Sequence, residues 1–355
     1  MKPFKGVYLF LTVVLGVTLV LTGCGQKPTK PAKEALTSAA TPNSETMEPG
    51  KADQSVPEAK QSFPYAFPLT GIGTEQEVKE RPVMVMVENQ AKARPQSGLN
   101  EADLVYEILA EGDITRFVAV FQSHSPKVIG PVRSIRPYFV EIGDGVDALI
   151  VHAGWSQEAM DLLTERKLAH FDEVYGDGSY YWRDNSRKPP HNLYTSIEKI
   201  RLGVERRKLR TEWTNPGLKF AADGVNLPGK PANDVEIHYI QKYYVNYKYD
   251  EASKRYLRFM EGKPHTDKET GEQLSAKNIL IVEAKHQIVD NYGRRHVDVH
   301  GPGNGYLVQE GKVREVTWER KNGVIRAFIN GEEAELLPGN TWIQVIPIGS
   351  KVSFQ

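Results

Sequence analysis

Residues 81–121 read RPVMVMVENQAKARPQSGLNEADLVYEILAEGDITRFVAVF, and this stretch decides the fold of the first half of the chain. The short apolar run RPVMVMVEN is typical of a buried strand. The segment LVYEILAEGDITRFVAVFQS predicts two strands joined at a Glu-Gly-Asp turn. DALIVHAG, residues 147–154, predicts a further buried strand.

Two helical segments interleave with these strands. QEAMDLLTERKL has apolar residues at helical spacing and follows Ser156, which stands where an N-cap is expected. TSIEKIRLGVERRKL predicts a second helix, capped by Thr195 or Ser196. Because strands and helices alternate, residues 66–210 are predicted to form a mixed α/β (α+β) domain.

The pattern changes after this domain. Residues 211–233 are rich in Pro, Gly and Asn and are predicted to be a linker. Residues 234–355 contain short strand-like segments separated by turn signals such as Asn322-Gly323 and Asn330-Gly331. We therefore expect a β-rich second domain.

The N-terminus predicts export and lipid anchoring. Two lysines precede an apolar run over residues 6–21, which is the architecture of a secretory signal. LTGC at residues 21–24 matches the lipobox of bacterial lipoproteins, so residues 1–23 would be removed and Cys24 would carry the lipid, including palmitate. The alternative is an uncleaved membrane helix, although the run is short of the roughly 20 residues that spanning requires. We expect a protein anchored to the extracytoplasmic face of the cell membrane.

Composition limits the partners. Residues 24–65 are rich in Pro, Ser, Thr, Lys and Glu and are predicted to be a disordered tether. The chain has 45 basic and 45 acidic side chains, which argues against a nucleic-acid partner. Cys24 is the only cysteine, so no internal disulfide is expected. The glycines of HGPGNG resemble a phosphate loop in composition only, because no helix follows, and we expect no cofactor.

Four arginines form the first candidate site: Arg94, Arg116, Arg133 and Arg136. The Gly-Pro pair before Arg133 can start a turn or a helix, and in a first helical turn Arg133 and Arg136 would share a face. Together with Arg116 they would suit bidentate capture of a carboxylate or phosphate. The alternative is that these arginines pair internally with the acidic residues of 101–111 and only hold loops in place.

A cell-wall hydrolase is the second candidate function. Glu107 and Glu111 would share one face of a strand about 13 Å apart. Glycosidase carboxyls stand roughly 5 to 9.5 Å apart, so the two glutamates are not expected to be partners. Either one could still act with His152, which ends a buried strand. A nucleophile at Ser134 or Ser156 lacks support, because neither serine lies in a GxSxG or SxxK motif.

The segment HVDVHGPGNG is the candidate metal site. His296, Asp298 and His300 alternate with valines, so on a strand all three side chains point to one face. The alternative is a solvated strand face with the valines turned inward, which the same alternation predicts.

Several longer motifs resemble a known family. They are RPVMVMVENQAKARPQSGLNEADLVYEILAEGDITRFVAVF, GPVRSIRPYF, VHAGWS, PHNLYTS, YKYDEASKRYLRF, NILIV and LLPGNTWIQVIP. In this order they resemble the YerB-like lipoproteins of Bacillus and related bacteria, a two-domain family of unknown function. The resemblance runs from about residue 65 to the end. It brings no catalytic or binding residue of its own.

The resemblance adds one observation: many residues in the shared motifs are polar and lie in turns or at strand ends. Polar turn residues mark sites more often than core residues do. We therefore predict one pocket that binds an anionic or glycan ligand of the cell envelope, in a protein that could also act by regulating a cell-wall enzyme. The predicted ligand-binding residues are Arg94, Gln96, Arg116, Arg133, Arg136, His152, His191 and Asn192.

Overall fold

The computed structural model describes residues 63–215, 217–222, 225–240 and 243–355. The predicted signal peptide, Cys24 and nearly all of the predicted tether lie outside these residues. Within the described ranges, no helix is both long enough and apolar enough to cross a membrane.

Short strands and all three α-helices of the described residues lie in the first half of the folded region. In chain order the elements are β1 (Tyr65–Ala66), β2 (Gly73–Thr74), β3 (Val83–Glu88), β4 (Leu104–Glu111), β5 (Ile114–Phe121), α1 (Pro137–Gly145), β6 (Leu149–His152), α2 (Gln157–Glu165), β7 (His170–Asp172), β8 (Trp182–Arg183), β9 (Leu193–Tyr194) and α3 (Ile197–Arg206). Single turns of 3-10 helix occur at Ala91–Ala93, Leu99–Glu101 and Gly178–Tyr180.

Strands alone are found in the described part of the second half. They are β10 (Lys230–Pro231), β11 (Asp234–Ile240), β12 (Tyr243–Asp250), β13 (Arg255–Met260), β14 (Lys263–Pro264), β15 (Ser275–Ala276), β16 (Asn278–Ala284), β17 (His286–Ile288), β18 (Arg295–Val297), β19 (Gly303–Gln309), β20 (Lys312–Lys321), β21 (Val324–Ile329), β22 (Glu332–Glu333), β23 (Thr341–Pro347) and β24 (Val352–Phe354).

One twelve-stranded sheet, the large sheet, runs through both halves. Its order is β22-β21-β20-β19-β16-β23-β4-β5-β3-β6-β7, with β10 paired to β20. β4 and β5 form the expected antiparallel hairpin. β23 lies parallel between β16 and β4, so Ile343 is aligned with both Leu280 and Tyr106. Because the sheet is continuous, it marks no border between the halves, and the predicted domain boundaries stay predictions.

The large sheet is covered on both faces. On one face Val85 packs in a core with Ile237 and Tyr247 from a second, six-stranded sheet of order β14-β13-β12-β11-β24, with β15 beside β13. Helix α3 contributes to the same core. On the other face Met84 packs in a core with Phe139 of α1 and with α2. Burial on both faces explains why the strand β3 is apolar throughout.

The helices begin close to where the sequence predicts. The side chain of Ser196 accepts a hydrogen bond of 3.1 Å from the backbone N–H of Lys199 and so caps α3. Ser156 is the N-cap residue of α2 but makes no such bond. Strands nevertheless predominate in both halves. The structure therefore supports a strand-rich chain more clearly than the mixed α/β class predicted for residues 66–210.

A buried ion pair lies between the two sheets. Arg258 Nη2 donates to Glu107 Oε2 at 2.6 Å, and both side chains are fully buried. The guanidinium also stacks 4.4 Å from the ring centroid of Trp342. The hydroxyls of Thr115 and Tyr243 donate to Glu107 Oε1. Burial acts to lower the pKa of Arg258, but the carboxylate and nearby tyrosines raise it above its ordinary value.

Candidate functional site

The predicted polar residues gather at one edge of the large sheet, which we call the carboxyl edge. The parallel strands β3, β6 and β7 end there at Glu88, His152 and Asp172. The β4–β5 turn lies at the same edge, because Glu88 is paired with Arg116 near the start of β5. Carboxyl ends of parallel strands are common ligand positions.

Residues 130–136, GPVRSIR, pass along this edge as extended chain. The backbone N–H of Arg133 donates to the carbonyl oxygen of Met86 at 2.9 Å. Helix α1 begins only at Pro137, and Arg136 is its extended N-cap residue. The idea that the two arginines share a first helical turn is therefore wrong. Strand-like hydrogen bonds to Met86 and Ala153 hold the backbone of Arg133, and only the carbonyl of Arg136 takes part in the helix. Their guanidiniums reach different carboxylates.

Glu88 binds the first of these arginines. Its buried carboxylate places Oε1 at 3.3 Å from Arg133 Nε and Oε2 at 2.9 Å from His191 Nδ1. The Arg133 contact is an ion pair without hydrogen-bond geometry, since both atoms lack a hydrogen-bond partner. Among the described residues, no oxygen accepts a hydrogen bond from the terminal nitrogens of Arg133, whose side chain is 23% exposed. Arg133 therefore keeps free donors.

Glu111 binds the other two arginines of this edge. Its Oε2 accepts from Arg116 Nη2 at 2.6 Å, and its Oε1 accepts from Arg136 Nη2. Arg116 also donates to the carbonyl oxygen of Ser134 at 2.8 Å. Burial lowers the pKa of Arg116 to about 10, although the Glu111 carboxylate acts to raise it. These two guanidiniums fit the internal-pairing alternative, with Glu111 as their partner.

A cavity of about 350 Å³ opens beside His191. Its lining includes Asn89, Arg94, Asp113, His191, Tyr243 and Glu261. Arg94 donates to the carbonyl oxygen of Asn89 at 2.9 Å and reaches Glu261 Oε1 at 3.4 Å. Gln96 is fully buried behind this wall and donates to Asn89 Oδ1 at 3.0 Å. The cavity thus brings Arg94 and His191 together, while Gln96 only supports the wall.

His152 is placed differently from the arginines. It is fully buried, with Nδ1 at 3.0 Å from the carbonyl oxygen of Gly154 and Nε2 at 3.1 Å from His170 Nδ1. Burial lowers its pKa to about 4, although Asp172 acts to raise it. Both ring nitrogens are engaged, so His152 links the end of β6 to the start of β7, and it is not among the residues that line the cavity beside His191.

Asn192 also has a supporting position. It is buried, its Oδ1 accepts from Arg183 Nη1 at 3.1 Å, and its Nδ2 donates to the carbonyl oxygen of Asp184 at 3.2 Å. These bonds tie together the two ends of the loop that carries His191. Asn192 therefore positions His191 and does not line the cavity.

Glu107 and Glu111 lie on opposite faces of the large sheet. Glu107 contacts Thr115 and Glu111 contacts Arg116, and successive residues of a strand face opposite sides. The cause is a register shift in β4 between Leu109 and Glu111. The expectation of a shared face is therefore wrong, and the two carboxylates do not flank a common cavity.

The candidate metal residues lie on a solvated surface. His296 is in β18, and Asp298 and His300 follow the end of that strand. His296 and His300 are exposed, while the valines between the three polar residues are buried. His300 lies 3.7 Å from Asp298 and its Nε2 lies 3.0 Å from Arg320 Nη1. In the described parts of the chain, no group of three His, Cys, Asp or Glu side chains is arranged to hold a metal ion.

Two residues central to the edge were missed by sequence reasoning. Glu88 reads only as the end of an apolar strand, although a carboxylate in that position was an available signal. Tyr243 comes from the second half of the chain and accepts a hydrogen bond of 2.6 Å from Asn89 Nδ2 across 154 positions. No local pattern could bring Tyr243 to this cavity.

Comparison with known proteins gives a consistent result. Two family models match: "Protein of unknown function (DUF3048) N-terminal domain" over residues 69–210, and the corresponding C-terminal domain over residues 235–343. The chain is 45% identical over 289 residues to "Putative lipoprotein YerB" of Bacillus subtilis (strain 168), covering 79% of this chain and 86% of that protein. The crystal structure of the Bacillus subtilis YerB protein superposes with a TM-score of 0.76 at 40% identity, covering 81% of this chain and 99% of that one.

Proposed function

The chain belongs to the two-domain DUF3048 family, and from this premise we propose that it is a lipid-anchored extracytoplasmic protein that binds an oxyanion-bearing ligand of the cell envelope. Its anchor would be Cys24, and its ligand a cell-wall polymer or a group on a cell-wall enzyme. The observation that carries the binding proposal is Arg133, whose terminal nitrogens have no hydrogen-bond partner among the described residues.

The anchoring part of the proposal is supported from two directions. The lipobox-like LTGC at residues 21–24 supplies the chemistry for lipid attachment. The related Bacillus subtilis protein, with 86% of its length covered, carries the name of a lipoprotein. A protein held in this way meets wall polymers and membrane enzymes at close range, which raises the effective concentration of such ligands.

The charges around Arg133 support a ligand with a carboxylate or phosphate. Arg116, Arg133 and Arg136 pair with only two carboxylates. Glu111 serves two of these guanidiniums, and Glu88 serves Arg133 together with His191. Glu88 holds Arg133 through Nε alone, so the terminal fork remains available for bidentate contact with an oxyanion. The partly exposed His191 lies on the same carboxylate and would supply a second donor.

The hydrolase alternative receives no support from the geometry. Glu107 is fully buried and paired with Arg258, Glu111 is held by two arginines, and both ring nitrogens of His152 are engaged. A general acid or base must lie within hydrogen-bond reach of the bond it acts on. None of the three side chains faces a cavity in that way.

The test is a binding titration of the full-length lipidated protein in detergent. The probes are poly(glycerol phosphate), which offers phosphodiesters, and muramyl dipeptide, which offers carboxylates. Replacing Arg133→Ala is expected to weaken binding of the preferred probe by about tenfold or more, because a hydrogen bond to a charged group contributes about 1.5–3 kcal/mol. Arg133→Lys should lose most of the same affinity, since an ammonium lacks the fork.

The matched control is Arg166→Ala. Arg166 is a surface arginine that pairs with Glu141 and Asp144, away from Glu88, and its loss should leave binding unchanged. Wild-type protein that binds neither probe, or an Arg133→Ala variant that binds as the wild type does, would overturn the proposal. Melting temperatures measured alongside separate loss of binding from loss of the fold.

A further inference from the structure

The six-stranded sheet has an outer face that bears polar side chains. Along β11 and β12, buried and half-buried residues alternate, so one face enters the core and the other faces outward. The outward face borders a cavity of about 530 Å³. Its lining includes Glu236, Tyr244, Asn246, Lys248, Phe259 and Lys351, and we call it the outer-sheet groove.

A row of hydrogen-bonding side chains crosses the floor of this groove. Register places Ser353 beside Glu236, Glu236 beside Asn246, and Asn246 beside Phe259, so three polar side chains and then the Phe259 ring span four strands. At the usual strand spacing this is about 14 Å long. Asn246 Nδ2 donates to Glu236 Oε2 at 3.1 Å, and His238 Nε2 lies 2.6 Å from Glu236 Oε1. The carboxylate and the amide are thus held in fixed orientations.

Two aromatic rings flank the polar row. Tyr244 stacks on His238 with 5.3 Å between ring centroids, which fixes the plane of its ring. Phe259 lies on the next strand with Lys248 Nζ 5.8 Å above its ring. Both aromatic side chains are only partly covered. Half-covered aromatic rings beside ordered polar groups are the usual makeup of a small-molecule site.

The charges of the groove select the class of ligand. The acids Asp234 and Glu236 are matched by Lys248 and Lys351, and Lys248 Nζ lies 3.2 Å from Asp234 Oδ2. A groove with balanced charge does not favour a polyanion, in contrast to the surroundings of Arg133. The groove offers hydrogen-bond acceptors and donors for hydroxyl and amide groups. Its aromatic ring faces carry partial negative charge and attract the slightly positive C–H groups of a ligand.

We propose that the outer-sheet groove is a second binding site, for an uncharged oligosaccharide of pyranose rings. The sugar rings lie on Tyr244 and Phe259, while their hydroxyl and amide groups bind Glu236 and Asn246. This site is independent of the proposed oxyanion site, since none of its lining residues contacts Arg133, Glu88 or His191. A chain with both sites would recognise a polymer that carries sugars and anionic groups.

The test is calorimetric titration of the full-length protein in detergent with the β-1,4-linked hexamer of N-acetylglucosamine. Wild type should bind it saturably, and Tyr244→Ala and Phe259→Ala should each weaken binding by about tenfold, the effect of losing an aromatic anchor. Glu236→Gln, at a half-exposed position, should weaken binding several-fold and serves if an aromatic variant fails to fold.

Two controls separate this site from other effects. Tyr292→Ala removes a tyrosine that is 81% exposed elsewhere and should leave sugar binding unchanged. Arg133→Ala should also leave it unchanged, so failure of the oxyanion site is distinguishable from failure of this one. Wild type that shows no saturable binding at millimolar sugar, or folded groove variants that bind within twofold of wild type, would overturn the proposal.

Discussion

The Glu107→Gln substitution exchanges one oxygen for a nitrogen, and we expect it to destabilise the fold strongly despite this small change. Gln keeps the shape and an acceptor for Thr115 and Tyr243, but it leaves the guanidinium of Arg258 charged and unpaired in the core. The other donors of Arg258 reach only neutral groups, the Tyr247 hydroxyl and His265 Nδ1. An uncompensated buried charge costs about 3–5 kcal/mol. That is a large fraction of the roughly 5–15 kcal/mol that stabilises a domain.

The free energies of unfolding of Arg258→Met and of the double variant show how much of the effect comes from the ion pair itself. Arg258→Met leaves the Glu107 carboxylate unpaired and should cost a similar amount, about 3–5 kcal/mol. With both changes no charge is stranded, so the two losses should not add. The expected coupling energy between the positions is about 2–3 kcal/mol.

The assay is equilibrium unfolding in urea of residues 60–355, which form one compact unit. Glu315→Gln is the matched control, because Glu315 pairs with Lys230 at 3.1 Å while both side chains are at least 75% exposed. Its effect should stay within about 0.5 kcal/mol. A Glu107→Gln variant within about 1 kcal/mol of wild type, or additivity of the double variant within about 0.5 kcal/mol, would refute the reasoning.

Two further predictions concern stability. Burial lowers the pKa of His152 from 6.5 to about 4, so its stabilising contribution is complete above about pH 6.5 and is lost as the pH falls toward 4, on the order of 3 kcal/mol. The pKa values of His170, His265 and His286 are lowered by burial too, so urea unfolding should show a steeper loss of stability between these limits for wild type than for His152→Asn, and equal slopes would contradict this. A Cβ on Gly145 would lie 1.8 Å from the carbonyl oxygen of Gly323, so Gly145→Ala should cost at least about 1–3 kcal/mol by thermal unfolding. Gly178→Ala, whose nearest neighbour is 3.7 Å away, should change stability by less than about 0.5 kcal/mol, and equal effects of the two alanines would contradict this account.

Local elements of the fold were predictable from the sequence because they depend on near neighbours. The apolar run of β3, the hairpin of β4 and β5, and helices α2 and α3 all lie where periodicity and capping residues indicate. The pairing of β23 with β4 was not predictable. A segment such as TWIQVIP has apolar residues at both alternating positions, which indicates that both its faces are buried. It does not show which strands lie beside it.

The candidate site was predictable only in part. Polar residues in turns pointed to Arg94, Arg133 and His191, which the fold brings to one edge and its cavity. The same criterion selected His152, which is fully buried. The sequence of a strand end does not show whether its last side chain is buried or exposed to solvent.

The separation of Glu111 from Glu107 depended on one extra residue in β4. A bulge inverts the face of every residue that follows it, and no residue pattern in this strand announced it. Glu88 shows the same limit, since its role depends on Arg133 and His191, which lie far along the chain.

The most direct measurement is a crystal structure of the protein soaked with inorganic phosphate, compared with the same experiment on Arg133→Ala. Oxyanion binding at the carboxyl edge predicts a phosphate within hydrogen-bond distance of both terminal nitrogens of Arg133, absent from the variant, with Glu111 still bound to Arg116 and Arg136. A phosphate that occupies other sites and leaves the Arg133 guanidinium uncontacted would contradict it.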